Sequence, residues 1–244
     1  MIRLLVAALA LALAQEQTEP ARRFARAVEL QRSGALKEAE AEYRALLAAS
    51  PGHAEAQANL GAVLMRLDRY DEAVAAYEAA LRLAPGLTPV LLNLGIAHYR
   101  KGEFDRAVAA LKSFLERSPG NLQATQLAGL ALVELGRDAE AAEYLRRAAA
   151  QAEDAGTLYA LGLACLRLRS AELGGVIERL KHVAGGEAHA HLLGGLAHLD
   201  RSEFRDAVRE LEVARALNHD LPRLHYSLGL GYLRLGRSAQ ALAS

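Results

Sequence analysis

The chain has 244 residues with 29 basic and 29 acidic side chains, so its formal net charge is zero. A nucleic-acid-binding surface normally carries a clear basic excess, and this balance speaks against one. Hydrophobic residues make up 52% of the chain and aromatic residues only 5%, which favours an all-helical protein, and the single cysteine excludes an internal disulfide.

The N-terminal segment differs from the rest of the chain. Arg3 supplies a positive start, residues 4–14 form an unbroken apolar run that ends in small residues, and a polar stretch follows. This three-part layout is typical of a secretory signal peptide. The run is also far shorter than the ~20 residues that a membrane-spanning helix needs. We predict a signal peptide at residues 1–14, a short linker at 15–19 and an exported protein, periplasmic or secreted.

A regular period begins near residue 20. Proline–glycine pairs recur 34 residues apart at Pro51, Pro85 and Pro119. A second series of glycines, each preceded by leucine, alanine or glycine, keeps a spacing of 33 or 34 residues. It comprises Gly61, Gly95, Gly129, Gly162, Gly195 and Gly229. A period of about 34 residues predicts an array of helix–turn–helix units.

One unit, residues 54–87, shows the plan. Gly61 stands in a predicted first helix and Tyr77 in a predicted second helix. A small residue allows two antiparallel helices to approach closely, and a large one fills the space beside the contact. Gly102 and Gly136 fall between the helices of later units, where a left-handed backbone favours glycine.

These small and large positions resemble the signature of the tetratricopeptide repeat. The resemblance covers residues 20–244 and implies an all-α fold: a right-handed α-solenoid, or superhelix, of antiparallel helix pairs, with about seven repeats and the last one incomplete. The expected units are 20–53, 54–87, 88–121, 122–154, 155–187, 188–221 and 222–244. An internal copy supports the register, because His98–Val108 reappears in similar form as His198–Val208.

Two units depart from the pattern. The fifth reads Ser170–Gly175 where alanine and an aromatic residue are expected, so we predict a short or displaced second helix there. The seventh stops at Ser244 inside its predicted second helix. Arrays normally end in a polar capping element, so we expect either a longer protein or a cap supplied by a partner.

The histidines form no metal-binding pattern. His189 and His191 are two residues apart and point in different directions on a helix, whereas ligands on one face need a spacing of three or four. His98 and His198 share one register position, and His191 and His225 share another. This repetition favours histidines that pack in place of aromatic residues.

No other residues form a recognisable reactive set. Glycine pairs such as Gly174–Gly175 lack the sequence context of a phosphate loop and are interpreted as turns or close helix contacts. Cys165 falls at a packing position and is expected to be a buried thiol. We therefore predict no catalytic residue, no metal site and no cofactor.

The resemblance implies that the first helices line a concave groove that receives the ligand. The predicted groove residues are Leu92, Ile96, Tyr99, Arg100, Gln126, Leu130, Tyr159, Leu163, Arg167 and Leu196. An apolar floor edged by arginines suits an amphipathic helix or an extended peptide that carries acidic groups. The competing interpretation is that many of these apolar residues only pack neighbouring first helices.

We therefore expect a non-catalytic scaffold or adaptor of the cell envelope that binds a protein or peptide partner, with no nucleic acid and no small-molecule substrate. The alternative is the repeat region of a longer enzyme or sensor that continues after residue 244. A third hypothesis is self-association through the uncapped C-terminal repeat.

Overall fold

The computed structural model describes residues 19–242, which form helices joined by turns, with no strand in that range. The predicted signal peptide and nearly all of the predicted linker lie outside these residues. The chain divides into two compact units, one ending at Pro119 and the other beginning at Gly120. Each unit is built from helix pairs of its own.

The first unit consists of three helix pairs over its described residues. Its helices are α1 (residues 19–33), α2 (Leu36–Ala49), α3 (Ala54–Arg66), α4 (Tyr70–Leu83), α5 (Thr88–Arg100) and α6 (Phe104–Arg117). Within a pair the helices run antiparallel across a short turn, and α2 and α4 also pack against the first helix of the next pair. The core between them is made of alanine, valine, leucine and tyrosine side chains.

The second unit repeats this arrangement. Its helices are α7 (Leu122–Glu134), α8 (Asp138–Gln151), α9 (Ala155–Arg167), α10 (Leu173–His182), α11 (Glu187–Asp200), α12 (Phe204–Leu217), α13 (Leu224–Arg234) and α14 (Ser238–Leu242). The succession of antiparallel helix pairs confirms the predicted all-α fold. No helix in the described part of the chain is long and apolar enough to cross a bilayer.

The close approach of two paired helices depends on a glycine in the first of them. A Cβ atom added to Gly95 would lie 2.7 Å from Leu111 Cγ, closer than real Cβ contacts come. Equivalent contacts join Gly61 to Tyr77, Gly129 to Leu145 and Gly195 to Leu211. Each of the four large partners is fully or almost fully buried. The second helix thus inserts one bulky side chain against bare backbone of the first, which gives the dense packing of a protein interior.

The pair formed by α9 and α10 departs from this rule. The side chain that rests on Gly162 of α9 is Leu193, which lies on α11 rather than on α10. Helix α10 has 10 residues, whereas α4 and the other regular second helices have 14. At the position where those helices carry the bulky residue, α10 has the exposed Glu178. The prediction of a short second helix is confirmed.

The glycines at the start of α10 have a different role from the one predicted. Gly174 and Gly175 lie in the first turn of the helix, and a Cβ added to either would meet no other atom within 4 Å. Their interpretation as a turn or a close helix contact is therefore wrong. Glycine is a poor helix former, which is one reason that α10 is short.

In the described residues, each turn within a helix pair places one residue in the left-handed region. These residues are Gly34, Asp68, Gly102, Gly136, Arg169, Ser202 and Gly236. The next amide then donates to a carbonyl near the end of the first helix, as Glu103 N does to His98 O at 2.9 Å. This is the Schellman arrangement, in which glycine carries no steric penalty. The prediction for Gly102 and Gly136 is confirmed.

We expect Gly95→Leu to lower the free energy of unfolding by about 3 kcal/mol, because the added side chain must displace Leu111 or separate α5 from α6. Urea denaturation followed by circular dichroism measures the change. Gly175→Leu is the matched control, since it adds the same side chain to an open helical site. Equal stability of the two variants would contradict the packing role of Gly95.

The left-handed turns predict opposite effects for two substitutions. Gly136→Ala forces a Cβ into the left-handed region, and we expect it to lower the free energy of unfolding by about 1 kcal/mol. Ser202→Gly removes such strain, and we expect a gain of about 0.5 kcal/mol after the added flexibility of the unfolded chain is subtracted. Thermal melts of the two variants beside the wild type test the sign, and a stabilised Gly136→Ala protein would refute the argument.

Candidate functional site

Four of the predicted groove residues belong to the first unit and form a stripe on α5. Leu92, Ile96, Tyr99 and Arg100 follow helical spacing, so they share one face; we call them the α5 stripe. The first three are partly exposed and Arg100 is exposed. The Tyr99 ring packs edge-on against Phe104, with ring centroids 5.4 Å apart. The α5 stripe therefore presents apolar surface next to a cation, and Phe104 of α6 helps to hold the Tyr99 ring in place.

The other six predicted residues belong to the second unit. They are Gln126 and Leu130 on α7, Tyr159, Leu163 and Arg167 on α9, and Leu196 on α11. Leu163 is only 9% exposed, and Leu196 is packed against the core cluster around Leu228. These two leucines contribute mainly to packing between helices, as the competing interpretation of the groove requires.

Gln126 links α7 to the beginning of α9. Its Nε2 donates to Asp154 Oδ2 at 2.8 Å and to Thr157 Oγ1 at 2.9 Å. Asp154 also accepts the Thr157 amide at 2.8 Å and so caps the N-terminus of α9. Both amide hydrogens of Gln126 are engaged, and its carbonyl oxygen is the group that it can still offer to a ligand.

Tyr159 is the most unusual polar group on this face. Its ring lies beside the His189 imidazole, with centroids 4.9 Å apart, and burial raises the pKa of Tyr159. Its hydroxyl is buried and has no hydrogen-bond partner within residues 19–242. Leaving such a group unsatisfied costs about 1–3 kcal/mol. The contact with His189 was not predicted, because residues on α9 and α11 meet only through the repeat stacking.

The arginines at the ends of first helices have structural partners. Arg167 Nη1 donates to Val133 O at 2.9 Å and lies 3.0 Å from Asp138 Oδ1. Arg66 Nη1 donates in the same way to Gln31 O at 2.9 Å. Each guanidinium thus caps the C-terminal end of the first helix in the preceding pair, where a positive charge is favourable.

Arg100 occupies the same register position but has a different environment. It is exposed and makes no hydrogen bond or ion pair with any residue that the structure describes. Arg100 and Arg167 were predicted to form one arginine edge of the groove, and the capping role of Arg167 was not predicted. A signal was present, since Arg66 and Arg167 each follow the carbonyl that they cap by about one repeat.

The histidines range from buried to exposed. His98 is buried and its Nδ1 lies 2.7 Å from Glu103 Oε2. His198 and Glu203 repeat this pair at 2.6 Å. The interpretation of His98 as a packing residue is confirmed, but that of His225 is wrong because its side chain is exposed.

The described residues contain no cluster of three side chains that could hold a metal ion. Cys165 is buried, as expected, and burial raises the pKa of its thiol to about 11. The thiol is therefore protonated at neutral pH, the form that is a poor nucleophile. Neither observation provides the parts of a reactive site.

The capping role predicts a difference between two arginines of equal register. We expect Arg167→Ala to lower the free energy of unfolding by about 1–2 kcal/mol, because it removes a charged donor from Val133 O and an ion pair with Asp138. Arg100→Ala removes no such bond and is expected to change stability by less than about 0.5 kcal/mol. Chemical denaturation of both variants decides the matter, and equal losses would contradict the assignment.

Comparison with protein families supports the predicted repeats. Two family profiles described as tetratricopeptide repeat match the chain, one over residues 92–156 and 192–244 and the other over residues 52–118. Together they span more than half of its length. A comparison with curated proteins gives no match.

Solved structures share the fold at low sequence identity. A tetratricopeptide repeat protein from Parabacteroides merdae is 15% identical, with a TM-score of 0.56 over 88% of this chain and 99% of that one. YrrB, described as a TPR protein with an unusual peptide-binding site, is 18% identical, with a TM-score of 0.63 over 76% and 96%.

PilF from Pseudomonas aeruginosa is 17% identical, with a TM-score of 0.61 over 91% of this chain and 98% of that one. Likeness at this level of identity concerns the fold. Taken with the profile matches and the helix pairs described above, it leads to one conclusion: the chain belongs to the tetratricopeptide-repeat family.

Proposed function

We propose that this protein is a non-catalytic scaffold that binds a helix or an extended peptide on the exposed faces of its first helices. Tetratricopeptide repeats serve in general as protein-interaction scaffolds. The α5 stripe carries the proposal, because it combines partly exposed apolar side chains with an arginine that has no ion pair among the described residues. YrrB, which shares the fold, is described as having a peptide-binding site, and this supports a peptide as the ligand.

The chemistry of the α5 stripe defines the partner. Leu92 and Ile96 offer apolar surface one helical turn apart, and Tyr99 adds an amphipathic ring. An apolar side chain of the partner would lie on this surface while an acidic group meets Arg100. The favoured ligand is thus a segment with apolar residues next to aspartate or glutamate.

We also propose that the protein acts in the cell envelope or outside the cell. The pattern of residues 1–14, a positive start followed by an apolar run and small residues, supports this location. Fractionation of cells that express the full chain tests it. Recovery of the unprocessed chain in the cytoplasm would contradict the proposal, whereas N-terminal processing near residue 14 would support it.

Binding depends on the α5 stripe in this proposal. We expect replacement of Tyr99 and Arg100 together by alanine to weaken binding of the native partner by at least about tenfold, because it removes an aromatic contact and the unpaired cation. Pull-down from an envelope extract with residues 15–244 as bait identifies the partner, and titration with the purified partner measures the change.

Two further variants make this experiment decisive. Arg82 and Leu83 are an exposed arginine and leucine on α4, and their replacement by alanine should leave binding unchanged. Ile96→Asp should weaken binding without touching the ring contact of Tyr99. Unchanged affinity in both the Tyr99/Arg100 and Ile96 variants, with helicity intact, would remove the α5 stripe from the binding site.

A further inference from the structure

The turn between α9 and α10 borders a cleft whose lining includes no residue of the α5 stripe. It has a volume of about 350 Å³, within the range of small-ligand sites. Its polar lining comes from Arg169, Ser170, Asp200 and Arg201, and Leu166 and Leu173 contribute apolar lining. We call this the turn cleft. All of its residues belong to the second unit.

The fifth repeat lacks a bulky residue beside the cleft. Three of the second helices, α4, α6 and α12, begin with an aromatic side chain, at Tyr70, Phe104 and Phe204. The corresponding residue of the fifth repeat is Ala171, and α10 begins only at Leu173. The longer turn and the missing ring leave open space beside the end of α11.

Arg201 has lost the acidic partner that its counterpart possesses. In the third repeat, Lys101 occupies the same register and lies 2.8 Å from Asp71 of the preceding pair. The residue equivalent to Asp71 is Glu172, but its Oε2 lies 2.8 Å from Arg146 instead. Arg201 makes no hydrogen bond or ion pair with other residues of the described chain.

The charges of the turn cleft favour an anion. Two guanidinium groups border it, and the single carboxylate, Asp200, lies 3.6 Å from Arg169 in an exposed pair that contributes little. Carbonyls at the ends of α9 and α11 accept turn amides, as Cys165 O does from Ser170 N and His198 O from Glu203 N, both at 2.9 Å. These bonds reduce the negative partial charge of the two helix ends.

Ser170 supplies a donor at the same place. Its Oγ accepts the Glu172 amide at 3.2 Å, and its hydroxyl also interacts with the Cys165 sulfur, a weak acceptor from which a carboxylate can take the hydrogen bond. A carboxylate between Arg201, Arg169 and Ser170 would have charge-assisted partners on more than one side, and apolar lining from Leu166 and Leu173 would lie beside it.

We propose that the turn cleft binds a carboxylate of a peptide next to an apolar side chain. This carboxylate is either the side chain of an acidic residue beside an apolar one or the C-terminal carboxylate of an apolar residue. The cleft is a second recognition site, independent of the α5 stripe, and the proposal does not rest on the proposed function of that stripe. A side-chain carboxylate and a C-terminal carboxylate share the chemistry, so the experiment distinguishes them.

The test uses two short peptides and the full chain. One is a peptide blocked at both ends with a single internal leucine–glutamate pair, and the other ends in a free leucine carboxylate. Each has an uncharged twin, with glutamine or a terminal amide. Titration followed by NMR of the arginine side chains is expected to show binding of at least one acidic peptide and of neither twin. The one that binds identifies the source of the carboxylate.

Three variants and one control locate the binding. Arg201→Gln should weaken it by at least about tenfold, and Asp200→Asn should strengthen it several-fold because a competing carboxylate is removed. Ala171→Phe restores the aromatic residue and should abolish binding. Arg205→Gln changes an exposed arginine outside the cleft and should have no effect.

The result that overturns the proposal is equally concrete. Binding of the twins as tightly as of the acidic peptides, no saturation by either acidic peptide at millimolar concentration, or equal affinity of Arg201→Gln and Arg205→Gln would each exclude a carboxylate site here. Circular dichroism spectra of all variants show whether the fold is retained, and Asp200→Asn keeps the test valid because a gain in affinity cannot come from unfolding.

Discussion

The contact between a glycine of one helix and a bulky side chain of the next is the constraint on which the structure depends. At Gly61, Gly95, Gly129 and Gly195 the first helix exposes bare backbone, and a tyrosine or leucine from the second helix occupies the space. The distance between paired helices is set there, and with it the direction in which the remaining faces point. The exposure of the α5 stripe follows from this seating of α5 on α6, because the buried side of α5 is fixed by Gly95.

Much of this could be read from the sequence because the determinants repeat. The glycine register, the left-handed turn at Gly102 and the short second helix of the fifth repeat all appear as presence or absence of a residue at a fixed position. The contact made by Leu193 could not be read in that way. It depends on a neighbour in another repeat, to which sequence spacing alone assigns no distance.

The candidate binding residues show the same limit. Periodicity places Leu92 and Ile96 on one face of α5, and the structure agrees that they share it. Periodicity cannot show which side chains on such a face already have partners within the protein. Gln126 is held by Asp154 and Thr157, so its capacity for a ligand is smaller than its position alone indicates. The hydrogen bonds and packing contacts that a side chain already makes, rather than its helix register, separate residues that stabilise the fold from residues that are available to bind a partner.

The contact of Gly162 with Leu193 has a consequence for cooperativity. In a regular pair, the glycine and the bulky side chain that contacts it belong to the same pair. Local opening of one pair therefore leaves the glycine contacts of the neighbouring pairs intact. Helix α9 is instead seated by α11, and transient release of α11 exposes the Gly162 face as well. We therefore expect α9, α11 and α12 to open and close as one cooperative segment. Helix α10 inserts no side chain into such a contact, so we expect its amides to exchange with the least disturbance to those three helices.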